Sequence, residues 1–393
     1  MNGTIYMPVG EVCSSISDTY REKKNMVTLI NTSDVLEGRV LNHERVPNSN
    51  LKGQFKKTFQ RDDILYSEIR PQNRRFAYVD FSPIDYIAST KLMVIRAKKD
   101  VVSPKYLYYF LKNSSTVAEL QLLAETRSGT FPQITFSEVA NLTIPVPSLA
   151  VQEVIVQTMQ CLEDKITCNE QINDNLEQQA QSYFQELFVD NADPEWAIGT
   201  ISDLGTVVGG STPSKAKPEY YTESGIAWIT PKDLSINKSK FVSHGENDIT
   251  ELGLKNSSAA IMPEGTVLFS SRAPIGYIAI AAGEVTTNQG FKSVVPKPEI
   301  GTPFVYFFLK NTLPVIEGMA SVSTFKEVSG STMKNVPAVI PDAETLAKFS
   351  DFCAPIFAQQ RILEEQNQSL ATLRDNLLPK LTSGEIDVSA VQL

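Results

Sequence analysis

IVQTMQCLEDKITCNEQINDNLEQQAQSYFQEL, residues 155–187, is the stretch that decides the fold. Ile155, Met159, Leu162, Ile166, Asn169, Asn173, Leu176, Ala180, Tyr183 and Leu187 fall at alternating steps of four and three. That is a heptad seam sustained over more than four repeats, and it predicts a coiled-coil helix. At ~1.5 Å per residue the stretch spans roughly 50 Å. No glycine or proline interrupts it.

A second seam lies near the C-terminus, where Phe349, Cys353, Ile356, Gln360, Leu363, Asn367, Leu370, Arg374, Leu377 and Leu381 take the matching positions. Polar residues sit inside both seams (Asn169, Asn173, Gln360, Asn367), where they cost stability and fix register or orientation. One such helix reads equally well as an amphipathic helix packed on its own domain. Two equivalent helices predict an intramolecular antiparallel coiled coil, which buries both seams and holds the regions before them apart at opposite ends.

Those preceding regions also repeat. Lys105-Tyr106-Leu107-Tyr108-Tyr109-Phe110-Leu111-Lys112-Asn113 is answered by Pro303-Phe304-Val305-Tyr306-Phe307-Phe308-Leu309-Lys310-Asn311. Thr130-Phe131 is answered by Thr324-Phe325, and Ile144-Pro145-Val146-Pro147 by Ala338-Val339-Ile340-Pro341. Asp63 through Ser67 resembles Gly265 through Ser270, each followed by an arginine, Arg70 and Arg272. The offset is close to half the chain, so this is a tandem duplication. In each copy short apolar runs (Thr90 to Ile95, Thr266 to Ser270, Tyr277 to Ala281) alternate with turn signals and predict strands. The aromatic segments after Pro104 and Pro303 predict helices, with proline in the first turn. Gly205 to Gly210 reads as a turn. The fold class expected is mixed α/β (α+β): two tandem domains separated by two long helices in an antiparallel coiled coil, with pseudo-twofold symmetry. The expected boundaries are 1–147, 148–190, 191–341 and 342–393.

The 393 residues are 42 % hydrophobic and 21 % charged, ordinary for a globular chain and unlike a disordered one. No secretory signal is read in Met1 to Gly10, and no apolar run approaches a membrane span of about 18 residues. Cys13, Cys161, Cys168 and Cys353 show no CxxC spacing, so free thiols in a cytoplasmic protein are expected. Catalytic signatures are missing as well. His43 and His244 stand in non-equivalent places, and neither HExxH nor a GxxxxGK[ST] phosphate loop is present. Pro341-Asp342 lacks the downstream acid and lysine of a metal nuclease, and Asp193-Pro194-Glu195-Trp196 is not an amino-methyltransferase motif. No catalytic residue and no metal site is expected.

The net charge is −9, which by itself argues against coating nucleic acid. By segment it is +4 for residues 1–147, −6 for 148–188, −3 for 189–340 and −4 for 341–393. The acidity therefore belongs to the helices. Cations cluster in the first region at Lys52, Lys56, Lys57 and Arg61, interleaved with Phe55 and Phe59, and again at Arg70, Arg74 and Arg75 beside Asn73. The second region offers Ser211-Thr212, Lys215, Lys217, Lys232, Ser270-Ser271-Arg272 and Asn288-Gln289-Gly290. Such side chains read base edges and hold phosphates, although each cluster alone also reads as a solvated face. In two tandem copies they suggest two readers of one duplex.

Three stretches carry a family resemblance: Gly210-Ser211-Thr212-Pro213-Ser214 with Gly225 through Leu234, which contains Trp228; Val267 through Gly276 with Thr287 through Lys292; and the closing Leu377-Leu378-Pro379-Lys380-Leu381-Thr382-Ser383-Gly384-Glu385-Ile386. Over essentially the whole chain the sequence resembles the specificity (S) subunits of Type I restriction–modification systems. The first copy departs from the pattern: it has Thr32-Ser33-Asp34-Val35 where the second has Trp228 through Leu234, and it lacks the Gly-Ser-Thr-Pro run. The resemblance implies a non-catalytic DNA reader with target-recognition domains at 1–147 and 191–341. Each would contact one half of a bipartite, asymmetric target, and the helices at 148–190 and 342–393 would set a fixed spacer. It also implies double-stranded DNA and methyltransferase subunits, two of them, as partners, and restriction subunits in the full complex. S-adenosylmethionine, ATP and Mg would be bound by those subunits and no cofactor by this chain. Two rivals stand beside this reading: the specificity subunit of a Type IIB-like system with fused methylase and nuclease, and a coiled-coil scaffold with no DNA role.

Overall fold

The structure is a computed structural model that describes residues 4–48, 53–127, 130–320, 326–386 and 388. Lys52 of the first cation cluster and the Thr324-Phe325 repeat lie outside the described residues. Contacts divide the chain into two compact units, Met1–Ile166 with Ser369–Leu393, and Thr167–Gln368. Each unit thus contains part of both long helices, Leu149–Gln185 and Ala343–Ser383.

In the first unit an antiparallel sheet runs in the order Cys13–Ile16, Leu92–Ala97, Ile64–Ser67, Phe76–Tyr78. Side chains alternate across a strand, and here both faces are covered. Ile64, Tyr66, Met93 and Ile95 enter the core shared with the helices, while Leu65, Leu92 and Val94 enter a second core. That second core lies against the sheet Val46–Pro47, Met26–Ile30, Tyr86–Ser89, Phe55–Lys57, whose middle pair is parallel. The second unit repeats the plan. Gly205–Gly209, Lys292–Pro296, Val267–Ser271, Ile275–Ala281 and Phe241–Val242 form one sheet, and Ile226–Ile229 pairs in parallel with Thr286–Thr287 in the other. Val267, Phe269 and Val294 face the helices, and Leu268, Ala279 and Ala281 face the second sheet. Fully burying a side chain such as Phe269 contributes about 1.5–3 kcal/mol.

The aromatic segments are helices, Pro104–Lys112 and Thr302–Met319, each with proline in its first turn. One sequence expectation fails. Gly205–Gly209 is a strand paired with Lys292–Pro296, not a turn. Glycine serves a close approach there, because a Cβ on Gly205 would lie 2.4 Å from the Val295 carbonyl oxygen.

The seam residues are placed as the heptads require. Ile155, Met159, Phe349, Ile356 and Leu363 are buried, and Leu162, Ile166, Leu176, Leu370 and Leu377 are half-buried. Within the second unit the helices run antiparallel. Asn169 Nδ2 donates to Gln366 and Asn367, Gln360 Nε2 donates to the Asn173 carbonyl at 3.1 Å, and Tyr183 lies 4.5 Å from Phe352 between ring centroids. Both helices also pack on their own unit's core, through Val156 and Leu381 in one and Phe184 and Phe357 in the other. Within the second unit the seam thus serves both helix–helix contact and packing on the domain core.

Candidate nucleic-acid interface

The second unit gathers polar side chains where the strand Val267–Ser271 ends. The amide of Ser211 donates to the Thr287 carbonyl at 2.8 Å, and the Ser211 carbonyl accepts from Trp228 Nε1 at 3.0 Å. Gly210 permits this approach, since a Cβ there would fall 2.4 Å from the Thr287 oxygen. Thr212 Oγ1 consequently meets the Gln289 side chain. Asn288 Oδ1 accepts from the Gly290 amide at 2.8 Å and closes the turn that presents exposed Gln289. The Ser271 amide and hydroxyl both donate to the Gly290 carbonyl, at 2.7 and 3.0 Å. Arg272 then emerges, its backbone bridged to Glu327 and its guanidinium 3.6 Å from the Glu327 carboxylate. Ser211, Thr212, Arg272, Asn288 and Gln289 are thereby brought to one edge, with buried Trp228 and Ser271 supporting it through bonds to backbone carbonyls.

The remaining candidates of this unit take other places. Ser270 is fully buried, its hydroxyl bonded to the Pro274 carbonyl and the Tyr277 amide, so it shapes the turn. Lys215 and Lys217 are exposed, Lys217 with its ammonium 5.2 Å from the Tyr220 ring centroid, and Lys232 pairs with Glu246 at 2.6 Å. A residue missed by sequence reasoning joins the edge. Lys292 is half-buried and donates to the carbonyls of Gln289 and Phe291 at 3.3 and 3.2 Å. Burial lowers its pKa, partly offset by Glu327 and reinforced by Arg272.

The first unit builds the same edge with different side chains. The Glu68 amide bonds to the Lys91 carbonyl and the Ile134 amide to the Glu68 carbonyl, as Ser271 bonds to Gly290 and Val328 to Ser271. Ile69 bridges Gln133 as Arg272 bridges Glu327. Lys91 Nζ lies 3.4 Å from the Glu68 carboxylate and donates to Gln133 Oε1 at 3.1 Å. This register makes Ile69, and not Arg70, the counterpart of Arg272. Lys91, Glu68 and Gln133 escaped the sequence reading. The Ser67–Ser270 match marked this strand end, but only the backbone hydrogen bonds set Lys91 against Gly290.

The first unit's candidate cations spread around this edge. Lys57 supports it from beneath, donating to the carbonyls of Thr90 and Leu92 at 3.1 and 2.8 Å, and burial lowers its pKa. Lys56, Arg70 and Asn73 are exposed. Arg70 and Arg74 flank a short 3-10 turn in left-handed conformations, with φ of 43° and 52°. Arg74 donates to Ser114 Oγ at 2.9 Å and Arg75 to the Ser33 carbonyl at 3.0 Å. Ser33 belongs to a turn capped by Asn31 and Asp34, and the second unit has the same device in Thr230 and Asp233. The departure of Thr32-Ser33-Asp34 from the second copy thus leaves the local structure intact. His43 and His244 are exposed and bond to Tyr86 and Ser243. Among the described residues no helix is long and apolar enough to cross a membrane.

Residues 6–178 and 194–374 match the family model described as the Type I restriction modification DNA specificity domain. The chain is 29 % identical to the Type I restriction enzyme HindI specificity subunit of Haemophilus influenzae, over 92 % of this chain and 94 % of that one. It is 38 % identical to the MjaIX specificity subunit of Methanocaldococcus jannaschii, over 47 % of this chain and 45 % of that one. The fold is similar to the crystal structure of a Type-I restriction-modification system S subunit from M. genitalium, with a TM-score of 0.56 and 17 % identity over 98 % and 97 % of the two chains.

Proposed function

We propose that this chain, which belongs to the Type I restriction–modification DNA specificity family, reads the two halves of a split DNA target with the two edges described above. As a specificity subunit it recognises DNA and assembles with methyltransferase subunits, whose chemistry it directs without performing. The finer assignments follow as our reading. Residues 1–147 and 191–341 are the target-recognition domains, and 148–190 and 342–393 are the helices that set the gap. Two modification subunits dock on the chain, restriction subunits join the full complex, and the assembly works in the cytoplasm.

One observation carries this reading. The same strand-end scaffold is built twice and loaded with different side chains: Arg272, Gln289, Lys292 and Glu327 in one unit, and Glu68, Thr90, Lys91 and Gln133, with apolar Ile69 in the place of Arg272, in the other. A protein that reads two different sequences needs a constant scaffold with variable base-contacting groups. Arg and Lys suit guanine, Gln and Asn suit adenine, and Glu suits the cytosine amino group. Exposed Lys56, Arg70, Lys215 and Lys217 supply phosphate contacts that position the duplex without selecting sequence. A near-neutral pair of readers binds free DNA weakly, so partner subunits help enclose the duplex.

The test is a footprint and gel shift of the subunit together with its methyltransferase partner. Protection is expected in two short blocks with a constant gap. Sequence-independent protection at moderate salt, or a single block, would overturn the reading.

A further inference from the structure

Lys240 is a buried lysine that the recognition edge does not use. It is 8 % exposed and directly precedes the edge strand Phe241–Val242 of the second unit. Its ammonium pairs with the Glu177 carboxylate of the first long helix and donates to Gln360 Oε1 of the second at 2.6 Å. It lies 4.0 Å from the Phe357 ring centroid and 4.8 Å from that of Tyr306. The Lys240 and Phe241 amides donate to the two carboxylate oxygens of Glu364, at 2.8 and 3.0 Å, and the Lys240 carbonyl accepts from Ile280 at 2.7 Å. One residue therefore joins the recognition sheet to both long helices. Glu177 is shared further with Lys310 at 2.5 Å.

Among the described residues the first unit has no such buried lysine at the matching place. Gly38 holds the equivalent backbone position, its carbonyl accepting from Tyr78 as Lys240's accepts from Ile280, with Tyr78 opposite Ile64 and Ile280 opposite Val267. Gly38 has φ +104°, and a Cβ there would lie 2.2 Å from the Tyr108 hydroxyl oxygen, so no side chain fits. There Lys112 and Tyr109 hold Glu163, with Arg374 of the second long helix near enough to interact with the same carboxylate.

A buried ion pair is a poor source of stability, because desolvation of the two charges consumes much of their attraction, and well-packed apolar residues often replace it without loss. What it supplies is register. The ammonium is satisfied only when Glu177, Gln360 and the Phe241 strand coincide, and a slip of one helical turn, about 5.4 Å, leaves the charge buried and unpaired. We propose that Lys240 is a positioning residue that locks the second recognition sheet to one register of the helix pair, so that the gap between the two half-sites is read strictly. This rests on the helices setting that gap.

The experiment assembles wild-type and Lys240→Met subunits with their methyltransferase partners on a plasmid library randomised in half-site bases and gap length, and reads methylation. Lys240→Met is expected to raise methylation of targets with gaps one base pair longer or shorter by about tenfold relative to the preferred gap, with both half-site sequences unchanged. Gln360→Met, which removes an acceptor but leaves the ion pair, gives the same readout in the same direction if Lys240→Met does not assemble. A strict wild type beside equally strict variants overturns the inference alone, and so does a change of half-site bases without a change of gap. A wild type with no gap preference overturns the reading beneath it as well.

Discussion

Asn169 and Asn367 face each other inside the helix pair, with Asn169 Nδ2 donating to Asn367 Oδ1 at 2.8 Å. The same nitrogen reaches Gln366 Oε1 at 2.8 Å, while the fully buried Oδ1 of Asn169 finds no hydrogen-bond partner among the described residues. A buried unsatisfied acceptor costs about 1–3 kcal/mol, so this pair is held for orientation and not for strength. Replacing both with leucine, Asn169→Leu with Asn367→Leu, is expected to raise the thermal midpoint in calorimetry. A lower midpoint would contradict this account.

Glu177 gives a prediction in pH. Burial pushes its carboxyl up, but Lys240 and Lys310 outweigh burial and hold the pKa below the ordinary glutamate value. A carboxyl with a lowered folded pKa contributes stability that is full above the unfolded value of about 4.3 and is lost as pH falls through the folded pKa. Glu177→Gln, which leaves Lys240 buried without its counter-charge, is expected to lose on the order of 3 kcal/mol at pH 7. That deficit narrows at pH 4 and below. Urea unfolding at the two pH values measures it, and a deficit that stays constant would contradict the pairing.

Arg272→Ala removes the guanidinium at the second edge and is expected to weaken binding by about 1–3 kcal/mol while relaxing one half-site only. Binding competition with single-base variants of each half-site is the measurement. Equal losses across both halves would mean that Arg272 holds phosphate.

Lys91→Ala is the matching change in the first unit. It frees Glu68 and Gln133 from the ammonium that now joins them. The expected result is altered base preference in the other half-site, with the half read through Arg272 unchanged. Methylation mapping with each variant separates the two, and an identical pattern from both would refute the pairing of edges with half-sites.

Inserting a few residues in heptad register within 155–187 is expected to change the gap and leave both half-site sequences as they are. Mapped methylation with an unaltered gap would count against the helices as its determinant.

Much of the fold was legible because its signals are local and periodic. Alternating steps of four and three place Ile155, Met159, Phe349 and Ile356 on a buried stripe whatever else the chain does. The duplication was legible because both copies bury the same layers. The strand at Gly205–Gly209 was not, since its glycines answer to a neighbouring backbone that only pairing brings near. The two polar edges were half legible. Ser211, Thr212, Asn288 and Gln289 stood out as polar runs, but Lys91 and Lys292 are single lysines in apolar surroundings.

The sequence alone determined a duplicated α/β chain with two heptad helices and no catalytic signature, because periodicity and composition act over a few neighbouring residues. Tertiary structure decided which charges meet. Lys57 stood out in a cation cluster and Lys91 did not, yet Lys57 lies beneath an edge and Lys91 on it. Gly38 and Lys240 share a backbone position, and only the ring of Tyr108 or the carboxylate of Glu177 decides what that position can hold. A side chain's role depends on groups some hundred residues away, and hydrogen bonds and ion pairs reach only a few ångströms. Those distances exist only in the folded chain.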